Sequence, residues 1–152
     1  MQIKHKYKGF TLIELLVVIA IIGLLSTMAV VALNNARVKS RDAKRISDIK
    51  QMQTALELFF ADQDTYPTYA GATGATASAQ LCNTTLGYDT VVNCTAASAT
   101  YMGKVPANPT PNGTAYTYAI SGTDDYSITF TLEEATGDLA AGLRTASAAG
   151  IQ

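Results

Sequence analysis

Lys8-Gly9-Phe10-Thr11-Leu12-Ile13-Glu14-Leu15-Leu16-Val17-Val18-Ile19-Ala20-Ile21-Ile22-Gly23 opens an apolar run from Phe10 to Leu33 with one formal charge inside it, Glu14. About 20 apolar residues suffice to cross a bilayer as a helix. A helix suits lipid because it satisfies its own backbone N–H and C=O groups. Lys4, His5, Lys6 and Lys8 precede the run, and a basic flank of this kind stays cytoplasmic under the positive-inside rule. A secretory signal peptide has a shorter apolar region with its cleavage site behind it. Here the run is too long. The candidate cleavage point, Gly9-Phe10, lies in front of it, so cutting there leaves the hydrophobic segment on the mature chain.

Glu14 is the anomaly. A carboxylate at membrane depth costs about 2.5–3.5 kcal/mol or more, so an intramembrane acid is a functional residue by default. The plainer reading keeps Glu14 near the helix start, where it reaches the headgroups. The sharper reading gives it a cation. Cleavage after Gly9 creates the new α-amine of Phe10, one helical turn from Glu14. Pairing within one chain or between neighbouring helices removes two uncompensated charges at once.

The segment Lys8-Gly9-Phe10-Thr11-Leu12-Ile13-Glu14 resembles the class III signal of type IV pilins and of the pseudopilins of type II secretion. The pattern is a basic leader, Gly, Phe, a short apolar spacer, Glu and a long apolar helix, dense from about Lys6 to Leu25. The resemblance implies a prepilin peptidase that cuts after Gly9 and methylates the Phe10 amine, with Glu14 as the assembly residue. It also implies a precursor in the inner membrane with its head outside the cytoplasm. An assembly ATPase and a platform protein would then draw it into a helical filament of identical subunits. The family's usual proline later in this helix is missing, with Val30-Val31 in its neighbourhood. Gly23 and Asn34-Asn35 remain as points where the helix could loosen.

At 152 residues, one compact domain is the prior. After the apolar helix and its extension, about 90 residues remain, enough for a small core. The net charge of −1 hides segregation. Residues 37–50 carry Arg37, Lys39, Arg41, Lys44, Arg45 and Lys50 against Asp42 and Asp48. Beyond them only Lys104 and Arg144 oppose Glu57, Asp62, Asp64, Asp89, Asp124, Asp125, Glu133, Glu134 and Asp138. An acidic head disfavours binding along nucleic-acid phosphates. Two cysteines, Cys82 and Cys94, are expected to pair in an exported domain. Closing that loop is worth about 3 kcal/mol in the chain-entropy model. Their spacing lacks the extra Cys or His of a zinc site.

Four segments follow in order: a leader over 1–9, a transmembrane or filament-core helix over 10–33, an amphipathic helix over 34–64, and a globular β head over 65–152. Asn34 to Arg45 is polar and basic, a solvated face near lipid phosphates that in a filament pairs with acidic neighbours. Ile46, Ile49, Met52, Leu56, Phe59 and Phe60, with Ala55, make one apolar stripe, the seam against a sheet. Asp48 and Glu57 lie off it. The helix is expected to stop near Asp62–Asp64, before Tyr66-Pro67. An unbroken helix from Phe10 to Asp62 is about 80 Å long, more than a small domain can bury.

Residues 68–100, rich in Ala, Thr, Gly and Ser, read as a long loop pinned by the cysteines. Asn83-Thr84-Thr85, Asn93-Cys94-Thr95 and Asn112-Gly113-Thr114 fit the glycosylation pattern but read as turn chemistry. Pro106, Pro109, Pro111 and Asn112-Gly113 lead into a hairpin over 115–132. There Ile128, Phe130 and Leu132 face the helix, and Thr129 and Thr131 face out. The tail supplies an edge strand around Leu139–Leu143 or wraps the sheet. The fold class is α+β and pilin-like: a long N-terminal helix, transmembrane first and amphipathic second, packed on a small antiparallel sheet.

No catalytic set is legible. The one histidine, His5, lies in the leader, and Gly71 and Gly74 lack the Lys-Ser/Thr of a phosphate loop. No cofactor is expected; Asp124, Asp125 and Asp138 are weak calcium candidates. The expectation is a subunit of a type IV pilus. The alternatives are a subunit of a type II secretion or DNA-uptake pseudopilus and a monomeric membrane-anchored binding domain whose loop over 68–100 grips a ligand. The head shows no basic, aromatic-lined patch for direct nucleic-acid binding.

Overall fold

The computed structural model describes residues 9–68, 71–72, 79–83, 87–90, 94, 99–122 and 124–152. The leader residues Lys4, His5, Lys6 and Lys8, and Gly74, lie outside the described residues, as do the Thr positions of the sequons at Asn83 and Asn93. The chain divides into two units, Met1–Arg37 and Val38–Gln152.

Helix α1 spans Leu12–Gln63. Its first part is dense in β-branched Val and Ile, which lose side-chain freedom in a helix. Propensity therefore does not explain it; a helix is the form in which an apolar segment of this length satisfies its own backbone groups. The hydroxyls in this stretch turn back onto the helix. Ser26 Oγ donates to Ile22 O at 2.7 Å and Thr27 Oγ1 donates to Leu24 O at 2.8 Å, so neither hydroxyl is left as an unpaired donor on the apolar surface. Gly23 and Asn34-Asn35 lie within the helix and do not interrupt it. At its other end, Asp64 takes φ 56° and its N–H donates to Phe60 O at 2.8 Å. That is the left-handed closing residue a helix usually assigns to Gly or Asn.

In the second unit, Ile49, Met52, Ala55, Leu56 and Phe59 form the buried face of α1. Ile46 and Phe60 pack at its margin. The opposing strands are β1 (Gly71–Ala72), β5 (Thr117–Ile120), β6 (Tyr126–Leu132), β7 (Gly142–Ser147) and β8 (Gly150–Ile151), in a five-stranded sheet of order β1-β5-β6-β7-β8. All its pairings are antiparallel. Strand β6 alternates fully: Tyr126, Ile128, Phe130 and Leu132 are buried, and Ser127, Thr129 and Thr131 are half-buried. This is the period of two that a one-sided sheet requires. The core is aromatic, with the Tyr66 and Tyr126 ring centroids 4.7 Å apart and edge-on.

The sequence predicts a loop over 68–100; the described residues there include strands. Strands β2 (Ala79–Cys82), β3 (Tyr88–Thr90) and β4 (Thr100–Met102) form a second antiparallel sheet of order β3-β2-β4. They are three or four residues long, too short to carry a recognisable apolar alternation. A disulfide joins Cys82 to Cys94. At Gly87, φ is 76° and an added Cβ would overlap the Pro67 ring, so this turn needs glycine. The tail also differs from expectation. It gives β7 at Gly142–Ser147, flanked by β6 and β8, rather than an edge strand around Leu139–Leu143.

Candidate functional site

The first site is the start of α1. Thr11 is the N-cap and Glu14 the third residue of the helix. The Thr11 N–H and Oγ1–H both donate to Glu14 Oε2, at 2.8 and 2.6 Å, and the Glu14 N–H reaches Thr11 Oγ1 at 3.3 Å. This is a capping box, which satisfies otherwise orphaned helix donors reciprocally. Thr11-Leu12-Ile13-Glu14 carries that signature in sequence. The same Glu14 is also the one formal charge in the apolar run, so its cost in an apolar setting masks its role as a capping residue. Both bonds from Thr11 fall on one oxygen, Oε2, so Oε1 keeps its capacity for a second donor. Phe10 is 79% exposed, and a Cβ built on Gly9 meets nothing within 4 Å. Phe10, Ile13, Glu14, Val17 and Val18 line a shallow depression of about 350 Å³.

Every residue from Gly9 to Arg37 is exposed. The large apolar side chains from Phe10 to Leu33 therefore point outward on all faces of the helix. An exposed apolar surface this extensive marks a membrane or protein-interaction region.

The second site is a buried polar cluster in the Val38–Gln152 unit. Asp42 and Arg45 are both fully buried, although the sequence reading gave Asn34 to Arg45 to solvent. Arg45 Nη1 donates to Asp42 Oδ1 at 2.6 Å and to Glu133 Oε1 at 2.7 Å. Its Nε donates to Asn108 Oδ1 at 2.8 Å, and its Nη2 donates to Pro109 O and Asn112 O. Arg41 forks onto Glu133 through Nε and Nη2, both at 2.7 Å. Asp42 accepts the backbone N–H groups of Glu133 and Glu134 at 3.0 and 2.9 Å. The cluster ties α1 to the end of β6 and to the proline-rich segment. The Arg41 hydrogen bonds, helped by those from Asn112 and Arg45, hold the Glu133 carboxyl well below the usual range.

Asn112 Nδ2 donates to Glu133 Oε2 at 2.7 Å. The amide of the Asn112-Gly113-Thr114 pattern is thus engaged in the turn. Asp48, expected off the stripe, is buried and accepts a hydrogen bond from Tyr116 Oη at 3.1 Å. Burial raises its carboxyl, against the Tyr116 hydrogen bond and the charge of Lys44. The burial of Asp42 and Asp48 is not legible in the sequence: Arg45 lies three residues from Asp42, but the groups that enclose both acids, Glu133, Glu134 and Tyr116, come from 68 to 92 positions away.

The weak calcium candidates are not gathered. Asp125 Oδ1 accepts the Tyr126 N–H at 2.8 Å in the β5–β6 turn. Among the described residues no three His, Cys, Asp or Glu side chains are placed to share a metal ion.

A helix-first α+β chain with a charged cap at the head of an exposed apolar helix is the class that the fold and the first site define. Residues 4–30 match the family described as the prokaryotic N-terminal methylation motif. The chain is 38% identical to the type II secretion system core protein G of Aeromonas hydrophila over 65 residues, 43% of this chain and 46% of the relative. It is 40% identical to the same core protein of Escherichia coli K12 over 68 residues, 45% of this chain and 47% of the relative. It is 36% identical to the type IV major pilin protein PilA of Myxococcus xanthus over 67 residues, 44% of this chain and 30% of the relative. The matched segment thus spans less than half of each of these relatives. No solved structure matches the chain. Over its N-terminal segment the chain is similar to type IV pilins and to type II secretion pseudopilins.

Proposed function

We propose that this chain is a structural subunit of a type IV pilus. It is inserted in the inner membrane as a precursor, cleaved after Gly9 by a prepilin peptidase and N-methylated at Phe10. An assembly ATPase and platform protein then move it into a helical filament. The observation that carries this reading is the outward-facing apolar surface from Phe10 to Leu33. In the membrane that surface is covered by lipid. In a filament, the same surface on identical copies replaces lipid, and van der Waals packing holds the helices. The Thr11–Glu14 cap satisfies part of the Glu14 carboxylate in the free subunit. Pairing with the Phe10 amine of a neighbour adds a cation to it and fixes the register. No step calls for a catalytic residue or a cofactor.

A second reading, a pseudopilin of a type II secretion machine, is favoured by the identity to core protein G of 38 and 40%. Immunogold electron microscopy of intact cells with antibody to the head separates the two. Long labelled surface filaments are expected for the pilus. Label confined to the envelope, with a secretion defect on deletion, assigns the pseudopilus. Label on single membrane-anchored molecules, unaffected by Gly9→Val, refutes both and leaves an anchored binding domain.

A further inference from the structure

The second unit carries a groove of about 510 Å³ between α1 and the β8 edge, lined by Ile46, Lys50 and Gln53 on one side and Asp138, Leu139 and Ile151 on the other. Its apolar residues Ile46, Leu139 and Ile151 are only partly buried against the core. Higher on the same helix stands Leu58, the one large apolar side chain of α1 beyond Leu33 that is exposed, at 54%. Glu57 and Asp62 flank it, and both are exposed; Glu57 Oε1 accepts from Tyr66 Oη and Asp62 Oδ2 from Tyr101 Oη and Gln63 Nε2, which leaves each carboxylate its second oxygen and its charge for a neighbour. Lys39, Lys50 and Glu57 fall at i, i+11 and i+18, one line along a helix of 3.6 residues per turn. That line is basic at its lower end and acidic at its upper end.

We propose that this groove receives Leu58 of a second copy of the chain, with the second copy's Glu57 and Asp62 facing Lys50. The inference rests on the filament reading, because copies drawn from one membrane enter with their helices parallel. Leu58 lies eight residues beyond Lys50 and twelve beyond Ile46. The parallel copy is therefore displaced along the helix axis by about 12 to 18 Å at 1.5 Å per residue. Charge sets the orientation. Asp138, on the far wall of the groove, repels the incoming acids and turns them toward Lys50 on the helix wall. Arg41 and Arg45 take no part, since their charges are already neutralised by Glu133 in ion pairs that are little exposed or buried. Knob and groove lie on different patches, so the contact is heterologous. Each bound copy still offers its own groove or knob, and such contacts repeated without closure build an open filament rather than a dimer.

The test uses the full chain in the cell that assembles it, with Leu58→Cys and Leu139→Cys combined; the native cysteines are paired with each other. The assembled fraction is oxidised and run without reductant. A ladder of dimers, trimers and higher multimers is expected from the double variant, and none from either single variant. Filaments at wild-type yield with no ladder overturn the proposal and leave the filament reading standing. Absence of filaments from the unaltered chain removes the filament reading, and this contact with it. If the cysteine variant does not assemble, charge reversal decides. Lys50→Glu and Glu57→Lys alone are each expected to cut filament yield about tenfold, and together to restore it to within about twofold, as a direct charge pair does. Unchanged yields from the single reversals, or no recovery in the pair, overturn it.

Discussion

Replacing Arg45 with alanine removes the hub of the buried cluster. Its guanidinium carries hydrogen bonds to Asp42, Glu133, Asn108, Pro109 O and Asn112 O, and the side chain is fully buried. After the change Asp42 keeps the two backbone N–H groups of Glu133 and Glu134, but its buried charge has lost its cation. Breaking a buried ion pair from one side costs about 3–5 kcal/mol. Stability of a domain this size is about 5–15 kcal/mol in all, so the loss is a large share of it. At about 4 °C per kcal/mol, the melting temperature should fall by about 12–20 °C. Thermal unfolding of the detergent-solubilised chain, followed by near-UV circular dichroism of its buried tyrosines, reads this directly. Arg45→Lys retains the charge but cannot fork to several acceptors, so it should fall between the two. A melting temperature for Arg45→Ala within about 2 °C of wild type would refute the assignment of the cluster as the anchor of α1.

Glu14→Ala should leave cleavage intact and abolish assembly, read as mature subunit in the membrane fraction with none in the sheared fraction; abundant normal filaments would count against the pairing of Glu14 with the Phe10 amine. Glu133 is held below its usual range, so the unfolded chain binds the proton first as pH falls. The stability it contributes is present above about pH 4.5 and lost as pH drops below that value. Glu133→Gln should therefore unfold with a flatter acid limb in pH-dependent denaturation. Asp48 is raised, so it works in the other direction, and its contribution fades as pH rises through its shifted value. Asp48→Asn should be better tolerated at pH 7 than at pH 4, read by urea midpoints at both. Reduction of Cys82–Cys94 should cost about 3 kcal/mol from the closed loop, seen as a lower urea midpoint with dithiothreitol.

The long helix, its apolar stripe and the β5–β6 hairpin were legible because each depends on local periodicity. Ile49, Met52, Leu56 and Phe59 repeat at helical spacing, and β6 alternates over seven residues. Strands β2, β3 and β4 were not legible, because three or four residues cannot carry a period. Nor was the fate of the basic segment. Its composition is that of a solvated face, yet Arg41 and Arg45 turn inward to Glu133. Only a contact across some 90 residues of chain decides between a surface charge and a buried one. At the helix start the reverse held. Thr11 and Glu14 are three residues apart, and their capping box was present in the sequence but overshadowed by the cost of a carboxylate in lipid.

The filament reading stands on a cut at Gly9–Phe10 that lets Phe10–Leu33 become the core of a polymer. The most direct measurement is the N-terminal peptide mass of material sheared from the cell surface. A chain that starts at Phe10 and carries one added methyl group on its amine is expected. A chain that starts at Met1 and is found only in the membrane fraction would contradict it.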